Sequence, residues 1–507
     1  MAKFIMLQGT SSHVGKSILA AALCRIFKQD QWKVAPFKAQ NMALNSYVTQ
    51  DGGEMGRAQV VQAEAAGVEP SVEMNPVLLK PTGNASSQVI LMGRPVGVMS
   101  AKEYHAGYSL QALDTVKQSL KSLSDQYEVL VIEGAGSPAE VNLKANDIVN
   151  MRVAKLAQAP VLLIADIDRG GALASVVGTL ELLDPAERDM VKGIVINKFR
   201  GDLELLRPAL DFLENKTQKP VVGVVPFLDN LGIDDEDSVS LDDKTVVGQR
   251  DIEVAVLRTP KISNFTDFEA LAHEQDVAVR YVRPGDEIGQ PDLVILPGSK
   301  NTVEDLVYLR QNGYEQEIRR LAEAGVPVIG ICGGYQMLGR EIHDPFHTES
   351  NLDFIAGMGL LPIVTEFAAT KMTHQVCAGC RNHAFLGINY SDDQLQGYEI
   401  HMGRTDFVEA VRSAFTIAVR SGQPIQAEDG VVTPDGLVMG TYIHGIFDND
   451  GYRRAVINAL RQRKGLTPLE VKENFRDRKE KSYDRLADTV RKSLNMDLIY
   501  QIMGAAK

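Results

Sequence analysis

The sequence is poor in cysteine, with only 4 among 507 residues. So few thiols exclude the disulfide framework on which small secreted proteins depend. The first residues, MAKFIMLQGT, have the pattern of a strand and not that of a signal peptide. We therefore expect a cytoplasmic protein.

Long apolar runs and positive net charge are also missing. No run reaches the roughly 20 apolar residues that cross a bilayer, which excludes an integral membrane protein. The formal net charge of −13 disfavours nucleic acid and anionic membranes as partners, because both would be repelled. A small anionic substrate stays possible, since lysines and helix N-termini can form a local positive site. The composition leaves the oligomeric state open.

What the sequence does contain is typical of globular α/β proteins. Hydrophobic residues make up 44%, charged residues 23% and aromatic residues 6% of the chain. Short apolar runs alternate with helical stretches, as in parallel sheets whose strands are buried on both faces. One series of such strands ends at VVGVVPF and a second begins at IEVAVLR. The fold class is therefore α/β, with two parallel-sheet domains.

The stretch between the two series, DNLGIDDEDSVSLDDK, is acidic and has no helical period. We predict a first α/β domain at 1–228, an acidic linker at 229–250, a second α/β domain at 251–450 and a helical tail at 451–507. The end of the tail, RLADTVRKSLNMDLIYQIMG, is amphipathic. This pattern fits a helix packed on its own domain better than one docked on a membrane.

The run GTSSHVGKS, from Gly9 to Ser17, follows an apolar strand and precedes the helical stretch SILAAALCRIF. Backbone N–H groups of such a loop hold phosphates together with the helix dipole. Lys16 would neutralise the β and γ oxygens of ATP, and the Ser17 hydroxyl would bind Mg²⁺. The spacing from Gly9 to Gly15 is one residue longer than in the common phosphate loop. A chance Gly-Lys-Ser at a helix start is the alternative.

Polar residues also follow other strands of the first domain, at the edge where parallel sheets bind ligands. Glu133 ends the strand in YEVLVIEGAG and is a second candidate Mg²⁺ ligand, although a carboxylate there could instead cap a helix. Weaker candidates at the same edge are Asp166, Asp168 and Arg169. Asn197 and Lys198, which follow a later strand, are also weaker candidates, and the base of the nucleotide could bind there.

Cys332 is the candidate nucleophile of the second domain. VPVIGICGGYQMLG predicts a strand, a glycine turn at Cys332 and a helix from about Tyr335, an elbow that presents a reactive side chain. A helix N-terminus favours the reactive thiolate. Gly333 would donate its N–H to the oxyanion, and a second donor would come from Gly298 or Ser299 in LPGSK. A buried structural cysteine is the alternative.

A cysteine nucleophile needs a base, and two histidines compete for that role. His444 ends a strand in GLVMGTYIHGIF, beside two glycine-bearing turns, and His401 lies in GYEIHMGRT. We favour His444 because of its position at the strand end. It would take the thiol proton and later protonate the leaving ammonia.

The first half resembles the dethiobiotin synthetase group of ATP-dependent enzymes, through the phosphate loop and Lys38 in APFKAQN. That group activates a carboxylate as a mixed phosphate anhydride. The resemblance implies that Lys38 lies near the transferred phosphoryl group, whereas a solvated lysine after a strand is the alternative.

Longer strings are similar to the cobyric acid synthase type of class I glutamine amidotransferase: CGGYQMLG, GYEIHMGRT and GTYIHGIFDND in the second half, and APFKAQNMALNSYVT, DGGEMGRAQ, NPVLLKP, DIDRGG and NKFRGD in the first. The resemblance implies a synthetase domain followed by a glutaminase with a Cys and His dyad. It also implies that glutamine and ATP drive amidation of four peripheral carboxylates of adenosylcobyrinic acid a,c-diamide. The corrinoid is then a substrate, and we predict no permanently bound cofactor.

Class I enzymes usually carry a glutamate two residues after the catalytic histidine, but this chain has Ile446 there. The sequence therefore leaves open what orients His444. Two other functions stay possible: the sibling cobyrinic acid a,c-diamide synthase and a partitioning-type ATPase switch.

The run HQVCAGCRNH also has zinc-ligand residue types, at His374, Cys377, Cys380 and His383. Ten consecutive residues would have to supply all four ligands, and odd offsets on a strand alternate between its faces. We therefore favour a strand and turn with free thiols.

Overall fold

The computed structural model describes residues 2–82, 86–229, 231–233, 250–380 and 384–505. Most of the predicted acidic linker, and His383 of the zinc hypothesis, lie outside these residues.

The strands are β1 (Lys3–Gly9), β2 (Val34–Phe37), β3 (Gln40–Met42), β4 (Ser46–Val48), β5 (Glu54–Gly56), β6 (Val77–Pro81), β7 (Ser86–Leu91), β8 (Arg94–Ser100), β9 (Val129–Glu133), β10 (Val161–Asp166), β11 (Val191–Phe199), β12 (Val221–Pro226), β13 (Ile252–Leu257), β14 (Ile262–Ser263), β15 (Val277–Val282), β16 (Leu293–Leu296), β17 (Gly298–Ser299), β18 (Val328–Ile331), β19 (Glu341–His343), β20 (Phe354–Ala356), β21 (Ile363–Cys380), β22 (Asp392–Phe407), β23 (Phe415–Arg420), β24 (Gln423–Asp429), β25 (Val431–Val432) and β26 (Val438–Thr441).

The α-helices are α1 (Lys16–Gln29), α2 (Arg57–Ala66), α3 (Ala101–Glu103), α4 (Ser109–Gln126), α5 (Met151–Ala157), α6 (Ala172–Leu182), α7 (Pro185–Met190), α8 (Leu203–Thr217), α9 (Glu269–Ala272), α10 (Thr302–Gln311), α11 (Tyr314–Glu323), α12 (Gly333–Leu338), α13 (Asp450–Arg463), α14 (Phe475–Ser493) and α15 (Met496–Ile502). No helix within the described residues is both long and apolar enough to span a bilayer.

The chain forms two compact units. The first contains residues 2–42, Met55–Ile233 and 478–505, and the second contains Ala43–Glu54 and 250–477. Two segments thus pack away from their neighbours in sequence. Ala43–Glu54, called segment 43–54 below, belongs to the second unit, and the last two helices belong to the first from residue 478 onward.

A parallel sheet with strand order β12-β11-β10-β1-β9-β2 forms the centre of the first unit. Its central strands β9 and β10 are apolar and buried along almost their whole length, as the α/β prediction requires. Pairing brings Leu7 opposite Glu133 and Asp166 opposite Asn197. The predicted polar residues therefore share the carboxyl edge of this sheet. A smaller sheet, β3-β6-β7-β8, completes the unit.

The C-terminal helices α14 and α15 bury their apolar faces in the core of the first unit. The ring of Tyr500 lies 5.7 Å from that of Phe27, and Tyr483 and Leu486 are 1% exposed. Arg25 pairs with Glu480 and Asp484 on the polar side of this contact. The amphipathic pattern of the tail is thus explained by packing within the protein.

The second unit has a central sheet of order β15-β13-β16-β18-β26-β25, in which β25 alone is antiparallel to its neighbour. A second sheet contains the long hairpin of β21 and β22. His374, Cys377 and Cys380 lie along β21, and all four cysteines of the chain are free. Within the described residues no cluster of three or more His, Cys, Asp or Glu side chains could hold a metal ion.

Candidate active site

The predicted phosphate loop lies between β1 and α1, and its glycines are required by space. A Cβ at Gly9 would lie 2.6 Å from Val14 Cγ2 and 2.9 Å from Lys16 Nζ. Gly15 has a φ of 95°, a left-handed conformation that favours glycine, and a side chain there would overlap the amide of Asn197. Lys16 Nζ donates to the carbonyl oxygens of Ser11 (3.0 Å) and Gly136 (3.2 Å), which places its ammonium inside the loop.

Glu133 is the centre of a buried polar cluster beside this loop. Its Oε1 accepts hydrogen bonds from Ser17 Oγ and Lys38 Nζ, both at 2.8 Å, and its Oε2 accepts one from Gln62 Nε2 at 2.6 Å. The side chains of Lys38 and Glu133 are 5% and 1% exposed. Lys38 is therefore a buried partner of a carboxylate, and its interpretation as a solvated lysine is wrong.

Gln62 was not among the sequence candidates. It lies on α2, whose residues are almost all buried and mostly Ala or Val. Gln59 and Gln62, one turn apart in this apolar helix, are the signal that could have identified it, because buried amides need polar partners.

Asn197 is buried, and its Nδ2 donates to Val14 O at 2.8 Å. Its amide thus supports the backbone of the phosphate loop. Lys198 bonds the carbonyl of His13 and pairs with Asp166, and Asp168 pairs with Arg200. Asn197 and Lys198 thus contact the phosphate loop, whereas Arg169 is exposed.

Cys332 lies on the predicted elbow in the second unit, between β18 and α12. Its φ of 51° and ψ of −107° are unfavourable for a residue with a side chain, a strain that is often stored at functional sites. The two glycines after it are required, since a Cβ at Gly334 would overlap Leu296 O and one at Gly333 would lie 2.8 Å from Ser299 N. The helix begins at Gly333, two residues before the predicted start near Tyr335.

The short distance between Gly333 and Ser299 N also bears on the predicted oxyanion donors. Gly298 and Ser299 form the short strand β17, which pairs with Ile262 and Ser263. Because Ser299 N lies so near the backbone of Gly333, N–H groups from β17 and from the elbow come from neighbouring positions. Gly298 also borders the histidine, as a Cβ there would lie 3.1 Å from His444 Cε1.

Asp267 orients His444, although the position of the usual glutamate is occupied by Ile446. Its Oδ2 lies 2.7 Å from His444 Nδ1, and its Oδ1 accepts a hydrogen bond from Gly445 N at 2.9 Å. The side chains of His444 and Asp267 are only 1% and 2% exposed. With a carboxylate at Nδ1, the imidazole carries its proton there and leaves Nε2 for the thiol.

The pKa of His444 depends on both Asp267 and Cys332. Burial by itself lowers the pKa of His444, but the charge and hydrogen bond of Asp267, followed by those of Cys332, outweigh it and raise the pKa to about 10. His444 Nε2 is buried. The interaction of Cys332 with His444, which contributes to the raised pKa, makes this thiol the neighbour for proton exchange, and the thiol also donates to Ile400 O at 3.6 Å.

His401 has a different environment. Its ring stacks on Tyr442 with centroids 3.8 Å apart, its Nδ1 lies 2.7 Å from Gly403 O, and its Nε2 lies 3.9 Å from Glu399 Oε1. Arg420 holds the same carboxylate with two hydrogen bonds. His401 thus lies one residue from a carbonyl that contacts the nucleophile, but its own ring is engaged with Tyr442 and Glu399.

Comparisons with known proteins match both halves of the chain. Residues 253–452 match the CobB/CobQ-like glutamine amidotransferase domain, and residues 5–240 match the CobQ/CobB/MinD/ParA nucleotide binding domain. The chain is therefore a glutamine amidotransferase that carries its own nucleotide-binding domain.

Similarity to curated relatives identifies one family within this class. The chain is 56% identical to the cobyric acid synthase of Pelotomaculum thermopropionicum, over 99% of this chain and 97% of the relative. It is 56% identical to that of Moorella thermoacetica (99% and 98% covered) and 51% identical to that of Streptococcus sanguinis (99% and 99% covered). The chain belongs to the cobyric acid synthase family, and it is a glutamine-hydrolysing amide ligase. Similarity along both domains disfavours a partitioning-type ATPase.

Proposed function

We propose that this enzyme converts adenosylcobyrinic acid a,c-diamide to adenosylcobyric acid by amidating four peripheral carboxylates, with ammonia from glutamine and activation by ATP. The observation that carries the proposal is the strained Cys332 beside the buried pair of His444 and Asp267. Full-length relatives that are named cobyric acid synthase support the choice of the corrinoid as substrate. We also propose that domain 1–228 is the synthetase, that domain 251–450 is the glutaminase, and that the enzyme, whose four cysteines are free, acts in the cytoplasm.

In the proposed glutaminase reaction, the proton of the Cys332 thiol is held on His444 Nε2, in agreement with the raised pKa of this imidazole, and the thiolate attacks the amide carbon of glutamine. Asp267 keeps the imidazole in the required tautomer and stabilises the imidazolium that forms. Gly333 N–H, with Gly298 or Ser299, stabilises the oxyanion. His444 then protonates the departing ammonia, and water hydrolyses the glutamyl thioester with His444 as base.

In the proposed synthetase reaction, a substrate carboxylate attacks the γ-phosphorus of ATP and ADP leaves. This step is needed because a free carboxylate has no adequate leaving group. Ammonia then attacks the acyl phosphate, and inorganic phosphate leaves as the amide forms. Lys16 and Lys38 supply positive charge toward the phosphates, and the backbone of Gly9 to Gly15, supported by Asn197, holds them.

The residues beside the loop fit Mg²⁺. Ser17 Oγ and the Glu133 carboxylate lie 2.8 Å apart, and both offer the hard oxygen ligands that this ion prefers. Mg²⁺ commonly uses one or two protein ligands together with phosphates and water, which agrees with so small a donor set. When bound, the ion would offset the charge of the phosphate oxygens.

Replacing the nucleophile tests the division of labour. Cys332→Ser should lose glutamine-driven amidation, with a turnover decrease that can reach ~10⁶-fold, and keep amidation by added ammonia. Cys377→Ser, another cysteine of the second unit, is the matched control and should keep both rates. His444→Ala should behave as Cys332→Ser does, whereas the same asymmetry in His401→Ala alone would assign the base to His401. Equal loss of both rates in folded Cys332→Ser would refute the proposal.

The choice of corrinoid needs its own comparison. The wild-type enzyme should consume four equivalents of ammonia per adenosylcobyrinic acid a,c-diamide and should not use cobyrinic acid itself. Turnover of cobyrinic acid to its a,c-diamide would instead support the sibling activity.

A further inference from the structure

Segment 43–54 contacts the turn that presents Asp267. This turn, residues 264–268, is called the Asp267 turn. Phe265 N donates to Asn45 Oδ1 at 3.2 Å, and Ser46 N donates to Asn264 Oδ1 at 3.1 Å. The two hydrogen bonds are reciprocal, since each asparagine accepts from the backbone beside the other. All four residues are buried, with 0–2% of their surface exposed.

The segment also contacts Tyr398, the aromatic residue that covers His444. Tyr398 OH donates to Ser46 O at 3.3 Å, and the Tyr47 ring lies 5.4 Å from the Tyr398 ring. The Tyr398 ring in turn stacks on His444, at 5.2 Å and 19°. Backbone hydrogen bonds join Tyr398 and His444 in both directions, at 3.1 and 2.9 Å.

Further contacts fix the segment on the strand β21. Thr373 Oγ1 donates to Gly52 O at 2.8 Å, and Lys371 pairs with Glu54 at 2.5 Å, with side chains 6% and 0% exposed. A buried ion pair and a buried backbone bond are costly to break, because each would leave a charge or a polar group without its partner. These buried contacts therefore hold the segment against β21.

The position of the Asp267 carboxylate depends on this support. Asn264 has a φ of 53°, so the turn starts in a left-handed conformation that needs specific contacts to persist. Only two residues separate Asn264 from Asp267. Loss of either asparagine bond would leave a buried N–H unsatisfied, and the turn would relax to recover a partner. The hydrogen bond to His444 would then lose its alignment.

We propose that Asn45 and its reciprocal partner Asn264 are positioning residues for glutamine hydrolysis, which fix the Asp267 turn while residues 46–47 fix Tyr398 over His444. This inference rests on the proposed glutaminase role of Cys332 and His444. Segment 43–54 lies inside the nucleotide-binding family match, residues 5–240, so residues from that part of the sequence serve the glutamine reaction.

The experiment removes each of the two bonds separately. Asn45→Ala deletes the acceptor on the segment, and Asn264→Gly deletes the acceptor on the turn while tolerating the left-handed backbone. Both should lower kcat for glutamate release by about 10- to 100-fold, the range expected when a catalytic group is misplaced. KM for glutamine and the ammonia-driven amidation rate should stay close to wild type. Gln50→Ala, an exposed position of the same segment, is the control and should change neither rate.

Alkylation separates positioning from general destabilisation. Iodoacetamide reacts with the thiolate form of a cysteine, so the rate at which it modifies Cys332 reports whether His444 is held in position to exchange the thiol proton. This rate should fall in Asn45→Ala and in Asn264→Gly and stay unchanged in Gln50→Ala. Tyr398→Phe keeps the stacked ring and loses the hydroxyl that donates to Ser46 O, so its decrease in kcat should be the smaller one.

Two results would overturn the inference. One is a glutamine rate near wild type in both Asn45→Ala and Asn264→Gly, while Cys332→Ser abolishes that rate in the same assay. The other is an equal loss of the glutamine-driven and ammonia-driven rates, which would assign the segment to overall folding. By contrast, retention of the glutamine rate in Cys332→Ser would refute the proposed function itself.

Discussion

Asp267→Asn removes the charge that holds His444 and keeps the shape of the side chain. The remaining carbonyl oxygen can still accept from Gly445 N, as Oδ1 does now at 2.9 Å. The new amide group would then face His444 Nδ1 and donate to it. The imidazole would carry its proton on Nε2, the nitrogen that has to accept the thiol proton.

The structure gives the size of the effect. The rise of the His444 pKa from 6.5 to about 10 corresponds to ~5 kcal/mol in favour of the imidazolium, at about 1.4 kcal/mol for each tenfold change in equilibrium. Asp267 supplies the largest favourable contribution, against the opposing effect of burial. Because each ~1.4 kcal/mol of stabilisation lost in the transition state slows a step about tenfold, losing a large part of this free energy would slow turnover strongly. With the wrong tautomer added, we expect a total decrease of ~10²- to 10⁴-fold in kcat.

The assay is glutamate release from glutamine, with ammonia-driven amidation as the internal control. The glutamine rate should fall and the ammonia rate should not. Because the pKa of His444 falls when the carboxylate charge is lost, any alkaline limb of the glutamine pH profile that this group sets should move to lower pH. A variant with a wild-type glutamine rate, or one that loses both rates together, would refute the role of Asp267.

Three further predictions concern other groups. Lys16→Ala should abolish amidation with either nitrogen source while glutamate release persists, since phosphoryl activation precedes attack by ammonia; amidation near wild type would refute the phosphate-loop assignment. Glu133→Gln should raise the Mg²⁺ concentration needed for ATP turnover more than it weakens nucleotide binding, and unchanged turnover would make Glu133 purely structural. Burial raises the pKa of Asp429 to about 7 against hydrogen bonds from Thr441 and Tyr442, so its contribution to stability is present below its unfolded pKa of about 4 and is lost as pH rises through 7. Asp429→Asn should therefore flatten the fall of Tm between about pH 4 and 7, and an unchanged Tm profile would contradict this.

The parts of the site that could be predicted are those whose residues are consecutive, or nearly so, in the sequence. Cys332 follows a short apolar strand and precedes two glycines, so local sterics alone indicate an elbow. Gly15 and Lys16 open a helix after another buried strand and indicate a phosphate loop for the same reason. The position of Glu133 and Asn197 at one edge of the sheet could be expected because parallel strands end there together, while their roles toward the nucleotide stay predictions. In each case the chemistry and the backbone geometry come from one stretch of chain.

The parts that could not be predicted depend on contacts between distant stretches. Asp267 lies 177 residues before His444, in the undistinguished run NFTDF. Gln62 reaches Glu133 from a helix that looks like ordinary core. Nothing in the sequence of segment 43–54 indicates that it packs in a different unit from the residues before and after it. The side chains of short strands with a mixed pattern do not specify the sheet against which the strands pack.

The replacement of the usual glutamate also explains why such a support is needed. Ile446 is fully buried, in a short 3₁₀ helix whose next residue, Phe447, is also in the core. A glutamate there would put an ionised group into this apolar cluster, at a cost that only a partner could offset. Asp267 instead approaches His444 from a separate turn, where Gly445 N satisfies its second oxygen. A carboxylate two residues from its histidine is positioned by the local backbone, whereas one on a separate turn is positioned only by whatever holds that turn. In this protein Asn45 and Ser46 make those contacts, so the alignment of the base depends on residues more than 200 positions away in the sequence.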